Sequence, residues 1–336
     1  MTQAIAADAA AAAEQLQGFD LSGSVVIVTG ASGLLGTHIL SALGVMAELG
    51  LGPEKLIAIS KSNLPRFVSP VATSTTSLRI DLVKEFDKSK LPTADYIIHA
   101  AGYGQPNKFM SDPRTTIELN TRSTMNLIDL LANSGRFLFA SSSEVYSGLS
   151  NPPFVEGQIG TTSPQHARAP YIEGKRCGEA ICHSILSSSS RYVATRIALA
   201  YGPGVFQNDD RVLYSFIRQA VERGRIEVAD SGFARRTYCY VGDTVAILMK
   251  LLLRADIAGV FNIGGISHTS IRDLAFLVAE ITNAEVAFHE SKQMTAGAPA
   301  DVSLDLTKTL NAVGLPRFVS LRDGVDRTVR WWKEAI

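Results

Sequence analysis

A parallel, doubly wound α/β sheet with a smaller C-terminal α/β lobe is the architecture that this 336-residue sequence predicts. Three observations predict it. Short apolar, β-branched runs alternate with amphipathic helical stretches through the first two thirds of the chain, and buried strands alternating with helices build a parallel sheet. A glycine-spaced turn, Gly30-Ala31-Ser32-Gly33-Leu34-Leu35-Gly36, directly follows the first of those runs. In the last third the pattern changes: helices read at 210–223 and 271–281 stand beside short strands near 226–229 and 259–263.

Taken in order, residues 1–16 are alanine-rich, carry Asp8 and Glu14 and hold no Lys or Arg. They lack the basic start of a secretory signal and read as a frayed tail or a short added helix. Strands are predicted at 25–29, 55–60, 77–80, 96–100, 137–141 and 192–197, with helices at 33–49, 115–133 and 169–186 between them. The serines at 187–190 read as a polar surface turn. No internal repeat is present. These elements divide the chain into a tail (1–20), a dinucleotide-binding domain (21–205, with 238–265 returning to it) and a substrate lobe (206–237 and 266–336).

Composition narrows the classes. Hydrophobic residues make up 46% and charged residues 19%, enough for a large core. The 32 basic and 32 acidic residues cancel, and no basic run appears, which argues against a nucleic-acid partner. No apolar stretch reaches the ~18–20 residues of a membrane span. Cys177, Cys182 and Cys239 follow no metal-ligand spacing and read as small buried hydrophobes in a reducing, cytoplasmic setting. No His, Cys and Asp cluster suggests a metal.

The glycine turn carries the first chemistry. Gly30 permits a tight turn, Gly33 lets backbone approach a phosphate, and Gly36 lets a helix pack on the strand, the arrangement of a Rossmann-type pyrophosphate site. Tyr171 and Lys175 stand four apart and share a helix face. An ammonium beside the phenol, joined by a cationic nicotinamide, would lower its pKa from ~10 and let Tyr171 take a proton from a sugar hydroxyl. Ser141-Ser142-Ser143-Glu144 follows a strand; a hydroxyl there either bonds a substrate oxygen or simply bonds its own backbone. His99 ends a strand and reads as a packed, hydrogen-bonded residue.

In order along the chain stand Gly30/Gly33/Gly36, Asp81-Leu82, His99-Ala100-Ala101-Gly102, Asn120, Ser141-Ser142-Ser143-Glu144-Val145-Tyr146 and Tyr171/Lys175, then Tyr201-Gly202-Pro203, Arg211-Val212 and Arg236 with Tyr240-Val241-Gly242-Asp243. This set resembles the extended short-chain dehydrogenase/reductase superfamily, specifically the NAD-dependent nucleotide-sugar epimerases, dehydratases and decarboxylases, over residues 24–332. The resemblance implies Ser142, Tyr171 and Lys175 as catalytic residues, with Glu144 as a further catalytic candidate. It implies Gly30, Ser32, Gly33, Leu34, Leu35 and Gly36 at the pyrophosphate, Asp81 and Leu82 at the adenine, Ala100 and Ala101 in the dinucleotide groove, and Tyr171 and Lys175 at the nicotinamide end. Ser143, Arg211 and Arg236 become substrate contacts. A homodimer through the helices at 115–133 and 169–186 is also implied.

Glu144 helps to choose among reactions. Dehydratases of this group usually carry Asp-Glu after the catalytic hydroxyl, whereas Ser143-Glu144, with Arg211-Val212 and Arg236, is similar to the UDP-glucuronate decarboxylases. Three departures qualify the pattern. Ser60 stands where NAD-specific relatives usually place Asp, and the adjacent Lys61 either faces a 2′-phosphate or is a solvated lysine. Ala198-Leu199-Ala200 replaces a Phe-Asn-containing segment, and Ala298 stands where an Arg often precedes Asp301. The expectation is therefore an enzyme that oxidises a nucleotide sugar at C4, alters it by epimerisation or decarboxylation, and reduces it again with bound NAD, NADP being possible. The alternatives are an NADPH-dependent reductase of a keto-sugar or other carbonyl, and a non-catalytic dinucleotide-binding protein.

Overall fold

A computed structural model describes residues 2–65, 75–187, 190–289, 301–314 and 317–335. The order of its elements is α1 (Gln3–Gln15), β1 (Val25–Thr29), α2 (Leu34–Glu48), β2 (Lys55–Ser60), β3 (Thr75–Arg79), β4 (Ala94–His99), α3 (Pro106–Ser111), α4 (Pro113–Asn120), α5 (Arg122–Ile128), β5 (Leu131–Ser142), α6 (Ala169–Leu186) and β6 (Tyr192–Ile197). There follow β7 (Leu199–Tyr201), α7 (Val212–Arg223), β8 (Arg225–Val228), β9 (Arg235–Tyr240), α8 (Val241–Leu253), β10 (Gly259–Ile263), β11 (Ser267–Ser270), α9 (Ile271–Thr282), β12 (Glu285–Phe288), β13 (Asp301–Val302), α10 (Thr307–Val313) and α11 (Leu321–Ala335).

The main sheet has seven strands in the order β10-β6-β5-β4-β1-β2-β3, all parallel. Its core strands are buried β-branched and aromatic runs, as sheets covered on both faces require. One face packs against α2 and α8, with α1 and α10 behind them. The other packs against α4, α5 and α6. The chain reverses direction between β1 and β4, and ligands of such sheets bind where the order switches, beyond the carboxyl ends of the strands. A second core gathers α7, α9, α11 and the short strands of the C-terminal lobe.

The parallel doubly wound sheet is as expected; several details differ. The single helix expected at 115–133 is two, α4 and α5, broken at Thr121 (φ −117°, ψ −83°). Thr116, Asn120, Thr121 and Thr124 each turn a side-chain donor onto a carbonyl three to four residues back or earlier, a competition that bends helices. Strand β5 then begins at Leu131, six residues before the expected start. Of the two readings of the N-terminal stretch, the added helix holds: α1 is packed, with Ile5, Asp8, Ala9, Ala12 and Ala13 buried. Tyr240 and Arg327 donate to the Asp8 carboxylate at 2.7 and 3.2 Å and tie α1 to α11. The sheet membership also departs from the expected domain boundaries: β7 lies before residue 205 yet pairs with β9 in the smaller sheet, while α10 packs on β10 and α8. Ser188 and Ser189 of the expected polar turn, and Ala298, lie outside the described residues.

One buried polar group orients α6. Tyr171, Lys175 and Glu179 recur every four residues, so all three face inward. Glu179 receives the Arg196 guanidinium of β6 through Nε (3.0 Å) and Nη2 (2.8 Å), and the Ser141 hydroxyl of β5 at 2.5 Å. Arg196 and Glu179 side chains are 3% and 8% exposed. Removing one member leaves a buried unpaired charge, a loss of ~3–5 kcal/mol. Arg196→Met should cost about that much in urea unfolding, and the double variant Glu179→Gln/Arg196→Met should cost clearly less than the two single losses added together. Additive losses would contradict a coupled pair.

Candidate active site

The carboxyl ends of the main strands open onto one cleft of about 860 Å³, near the top of the ~300–1,000 Å³ range of small-molecule sites. Every residue assigned above to cofactor, chemistry or substrate lines this cleft. At one end is the glycine turn. Gly30 has φ +67°, and a Cβ there would stand 2.5 Å from the Ala100 carbonyl oxygen; a Cβ on Gly36 would meet the Gly30 carbonyl at 2.3 Å. Backbone is thus packed against backbone, and the first turn of α2 is presented to the cleft with Gly33 at its N-cap. No side chain caps that helix start, so its donors face the place where a pyrophosphate would sit. These observations fit a dinucleotide.

Next along the cleft is the adenosine end. Ser60 is buried, and its hydroxyl donates to the Ser62 carbonyl at 2.6 Å. Lys61 lies 3.2 Å from the Asp81 carboxylate. Asp81 also accepts from the Val83 amide at 3.4 Å. His99, at the end of β4, bridges β1 and α4: its Nε2–H donates to the Leu119 carbonyl at 2.9 Å, which leaves Nδ1 to accept from the Thr29 hydroxyl at 2.8 Å. Burial pushes its pKa down to about 4, so it is a neutral packing residue.

The opposite end holds the reactive groups. Tyr171, on the first turn of α6, is hydrogen-bonded to Ser142, whose Oγ also accepts from the Glu144 amide at 3.2 Å. Lys175 Nζ donates to the Ala140 carbonyl at 2.6 Å and lies 5.0 and 5.6 Å from the ring centres of Phe139 and Tyr171. Burial pushes the Lys175 pKa down to about 7. The phenol departs from expectation. Burial pushes Tyr171 up to about 12 against the pull of Ser142, and Glu144 raises it further. Lys175 approaches the ring face and a carbonyl rather than lowering the phenol. The protein's own groups therefore hold Tyr171 as a neutral donor, and the burial cost outweighs the pull of Ser142, Arg168 and Arg211.

Two residues that sequence reading passed over complete the site. Arg168 makes a two-pronged ion pair with Glu144, through Nε to Oε2 at 3.1 Å and through Nη2 to Oε1. Its guanidinium lies 5.2 Å from the Phe109 ring centre. Phe109 of α3 is stacked on Tyr171, with centroids 4.4 Å apart and an 8° tilt. The spacing Arg168-x-x-Tyr171 placed Arg168 on the Tyr171 face; nothing local marked Phe109. Glu144, a catalytic candidate of the sequence reading, is held by Arg168 and by the Ser147 hydroxyl at 3.3 Å. Arg211 is likewise engaged, with Nε and Nη2 on Asp209 at 3.0 and 2.8 Å. Arg236 is half-buried, its Nη1 donating to the Arg235 carbonyl at 2.7 Å, and it interacts with both Glu144 and Arg168. Ser143 lines the same wall. Among the described residues no group of His, Cys, Asp or Glu could hold a metal ion.

A parallel sheet with a pyrophosphate turn at its switch point and a Tyr–Lys pair over the next strands defines a dinucleotide-dependent enzyme fold. Residues 26–264 match the family model described as "NAD dependent epimerase/dehydratase family", and the chain belongs to that family. It is an NAD-dependent enzyme of the epimerase/dehydratase type. Among curated proteins it is 29% identical over 324 residues to UDP-glucuronic acid decarboxylase 2 of Arabidopsis thaliana, spanning 95% of this chain and 70% of that one. Among solved structures, Epimerase Mth375 of Methanothermobacter thermautotrophicus superposes with a TM-score of 0.79 at 22% identity, covering 96% of this chain and 95% of that one. The dTDP-glucose 4,6-dehydratase DesIV of Streptomyces venezuelae, solved with NAD bound, gives 0.78 at 21%, covering 92% and 97%. These two likenesses establish the fold.

Lys175 supplies a pH-dependent test of the burial argument. Its folded pKa of about 7 lies below the ~10.4 of an unfolded lysine. Between those values the unfolded chain binds more protons, so wild-type stability rises with pH across that window. Lys175→Met removes the buried ammonium. The variant should melt higher than wild type near pH 7, and the gap should close towards about pH 10. A gap that does not narrow would contradict a buried, strained charge.

Proposed function

We propose that the chain decarboxylates a nucleotide-linked uronic acid through a transient 4-keto sugar. The observation that carries this reading is the Tyr171–Ser142 pair standing beside Glu144, a carboxylate ion-paired with Arg168, with the Arg236 guanidinium within electrostatic reach of both. A second carboxylate, on the sugar, would complete that charge balance. The similarity to UDP-glucuronic acid decarboxylases supports the same substrate class, and Ser143 stands where a dehydratase would carry an acid.

When bound, NAD would supply the acceptor and donor for the C4 hydride and a positive charge on its ring. With added positive charge nearby, Tyr171 first releases its proton through the open cleft to solvent, and the resulting phenolate accepts the C4 hydroxyl proton as the hydride departs. Ser142 holds the same oxygen through its hydroxyl. With C4 a ketone, the bond from C5 to the carboxyl carbon breaks, carbon dioxide leaves, and its electron pair moves onto the C4 oxygen. Tyr171, now protonated, and Ser142 both donate to that enolate oxygen. Burial suits Tyr171 to this stage, because a phenol held near 12 stays a donor. C5 takes a proton from water, the hydride returns to C4, and Tyr171 gives back its proton. Arg168 and Arg236 anchor the carboxylate until it is lost. Lys175, on the carbonyl of Ala140, holds the nicotinamide ribose and its charge near the phenol.

On this reading the seven-stranded body binds the dinucleotide and the smaller lobe binds the sugar nucleotide. We also propose a homodimer through α4, α5 and α6, where Ile117, Met125 and Ile185 are exposed. Among the described residues no helix is long and apolar enough to cross a membrane, and the three cysteines are free, which supports a reducing, cytoplasmic setting.

Purified protein incubated with UDP-glucuronic acid and no added dinucleotide should give a product lighter by carbon dioxide in mass spectrometry. Tyr171→Phe should lower turnover by at least ~10²-fold, the usual worth of a general acid–base group, while circular dichroism stays native. A product of unchanged mass would replace decarboxylation with epimerisation. Conversion only when NADPH is supplied would replace both with net reduction. Undiminished activity of the Phe variant would remove Tyr171 from the chemistry.

A further inference from the structure

We infer that Phe109 is a positioning residue that couples the general base to the carboxylate anchor: one buried ring seats both the Tyr171 phenol and the Arg168 guanidinium. The seating concerns the chain alone; its kinetic consequence rests on the proposed decarboxylation.

Phe109 is fixed from its own side. It is 1% exposed. Pro106 begins α3, the Phe109 amide donates to the Gln105 carbonyl at 3.1 Å, and the Phe109 carbonyl accepts from the Thr116 hydroxyl of α4 at 3.3 Å. The ring is thus set by α3 and α4, and the phenol is aligned on it. The two rings are tilted by 8° with centroids 4.4 Å apart, a stack with no room for water between them. Arg168 places its guanidinium 5.2 Å from the centre of the same Phe109 ring. That cation–π seat is separate from the ion pair between Arg168 and Glu144. Arg168 can therefore exchange Glu144 for a carboxylate on the sugar and stay beside the phenol.

The groups that face the phenol give the direction of the effect. Glu144 pushes its pKa up, and Ser142, Arg168 and Arg211 pull it down. Lys175, on the same helix, lies 5.6 Å from the ring centre, and Lys108 of α3 is a further cation on the cleft wall. From α4, the uncharged Thr116 and Asn120 meet α6 at Gly174. Taking Phe109 away has two opposing consequences. Water reaches the phenol and favours phenolate; Arg168 loses its seat and favours it less. Burial is the largest influence on Tyr171, so the first consequence wins.

The test compares wild type with Phe109→Ala, Phe109→Leu and Phe109→Tyr, each with and without Tyr171→Phe, with NAD bound. The tyrosinate absorbance that disappears with Tyr171→Phe reports this phenol alone. Its midpoint should fall by about one pH unit in Phe109→Ala, a tenfold gain in ionisation. It should fall by less in Phe109→Leu and stay at the wild-type value in Phe109→Tyr, which restores the ring. The low-pH limb of kcat on UDP-glucuronic acid should move with the midpoint, and KM should rise several-fold in the Ala and Leu variants as Arg168 loses its seat. Circular dichroism checks each fold, and Phe109→Leu carries the test if the Ala variant does not fold. A folded Phe109→Leu with a lower melting temperature but an unmoved midpoint and limb reduces Phe109 to packing and overturns the inference. If UDP-glucuronic acid is not turned over, the proposed function falls, and the absorbance titration still decides the seating of the phenol.

Discussion

The buried pair of Arg196 and Glu179 is the constraint on which the active site depends. Burying two charges is costly unless the geometry is close and every lone pair is used. Here Glu179 takes two nitrogens of Arg196 and the Ser141 hydroxyl, while Arg196 adds the Tyr146 hydroxyl and the carbonyls of Glu156 and Gln158. Tyr146 in turn donates to Asn262 of β10. One network thus joins α6 to β5, β6 and β10 and to the loop after Ser142. Because Tyr171 and Lys175 lie on the same face of α6 as Glu179, fixing one fixes all three. Ser141 and Ser142 are neighbours on β5, so the bond that holds the helix also sets the distance from Tyr171 to its hydroxyl partner.

The second organising principle is burial of ionisable groups. Lys175 is brought to about 7 and Tyr171 to about 12, opposite displacements with the same cause. Both are displaced towards neutrality, and both become responsive to any charge that enters the cleft. Phe109 contributes by covering the Tyr171 ring. Arg168 lies against the same Phe109 ring and carries Glu144. The wall next to the phenol is thereby charged but internally paired, which suits it to exchange one carboxylate partner for another.

Much of the fold was legible because the signals were local. Apolar β-branched runs gave strands β1, β2, β6 and β10 with the expected bounds, and the glycine spacing gave the turn whose backbone contacts leave no room for a Cβ at Gly30 or Gly36. Local signals failed where a distant partner decides. Helix α8 is apolar nearly all round because it is buried between the sheet and α1, and it lacks the amphipathic period that reveals a surface helix. The short strands β7, β11 and β13 exist only through pairing with β9. The break at Thr121 reflects side-chain competition for carbonyls, which composition alone does not rank.

The site divides the same way. Its membership was legible, since the residues picked out line one cleft; its electrostatics were not. That Glu144 is answered by Arg168, 24 residues away, and that burial rather than Lys175 controls the phenol, both depend on packing. The central claim is that hydride leaves and returns to the same carbon within one closed site. The most direct measurement uses UDP-glucuronic acid carrying deuterium at C4, with the product's label read by mass spectrometry and NMR. Retention of deuterium at C4 in a product that has lost carbon dioxide is the predicted result. Loss of the label to solvent or to free dinucleotide would contradict it.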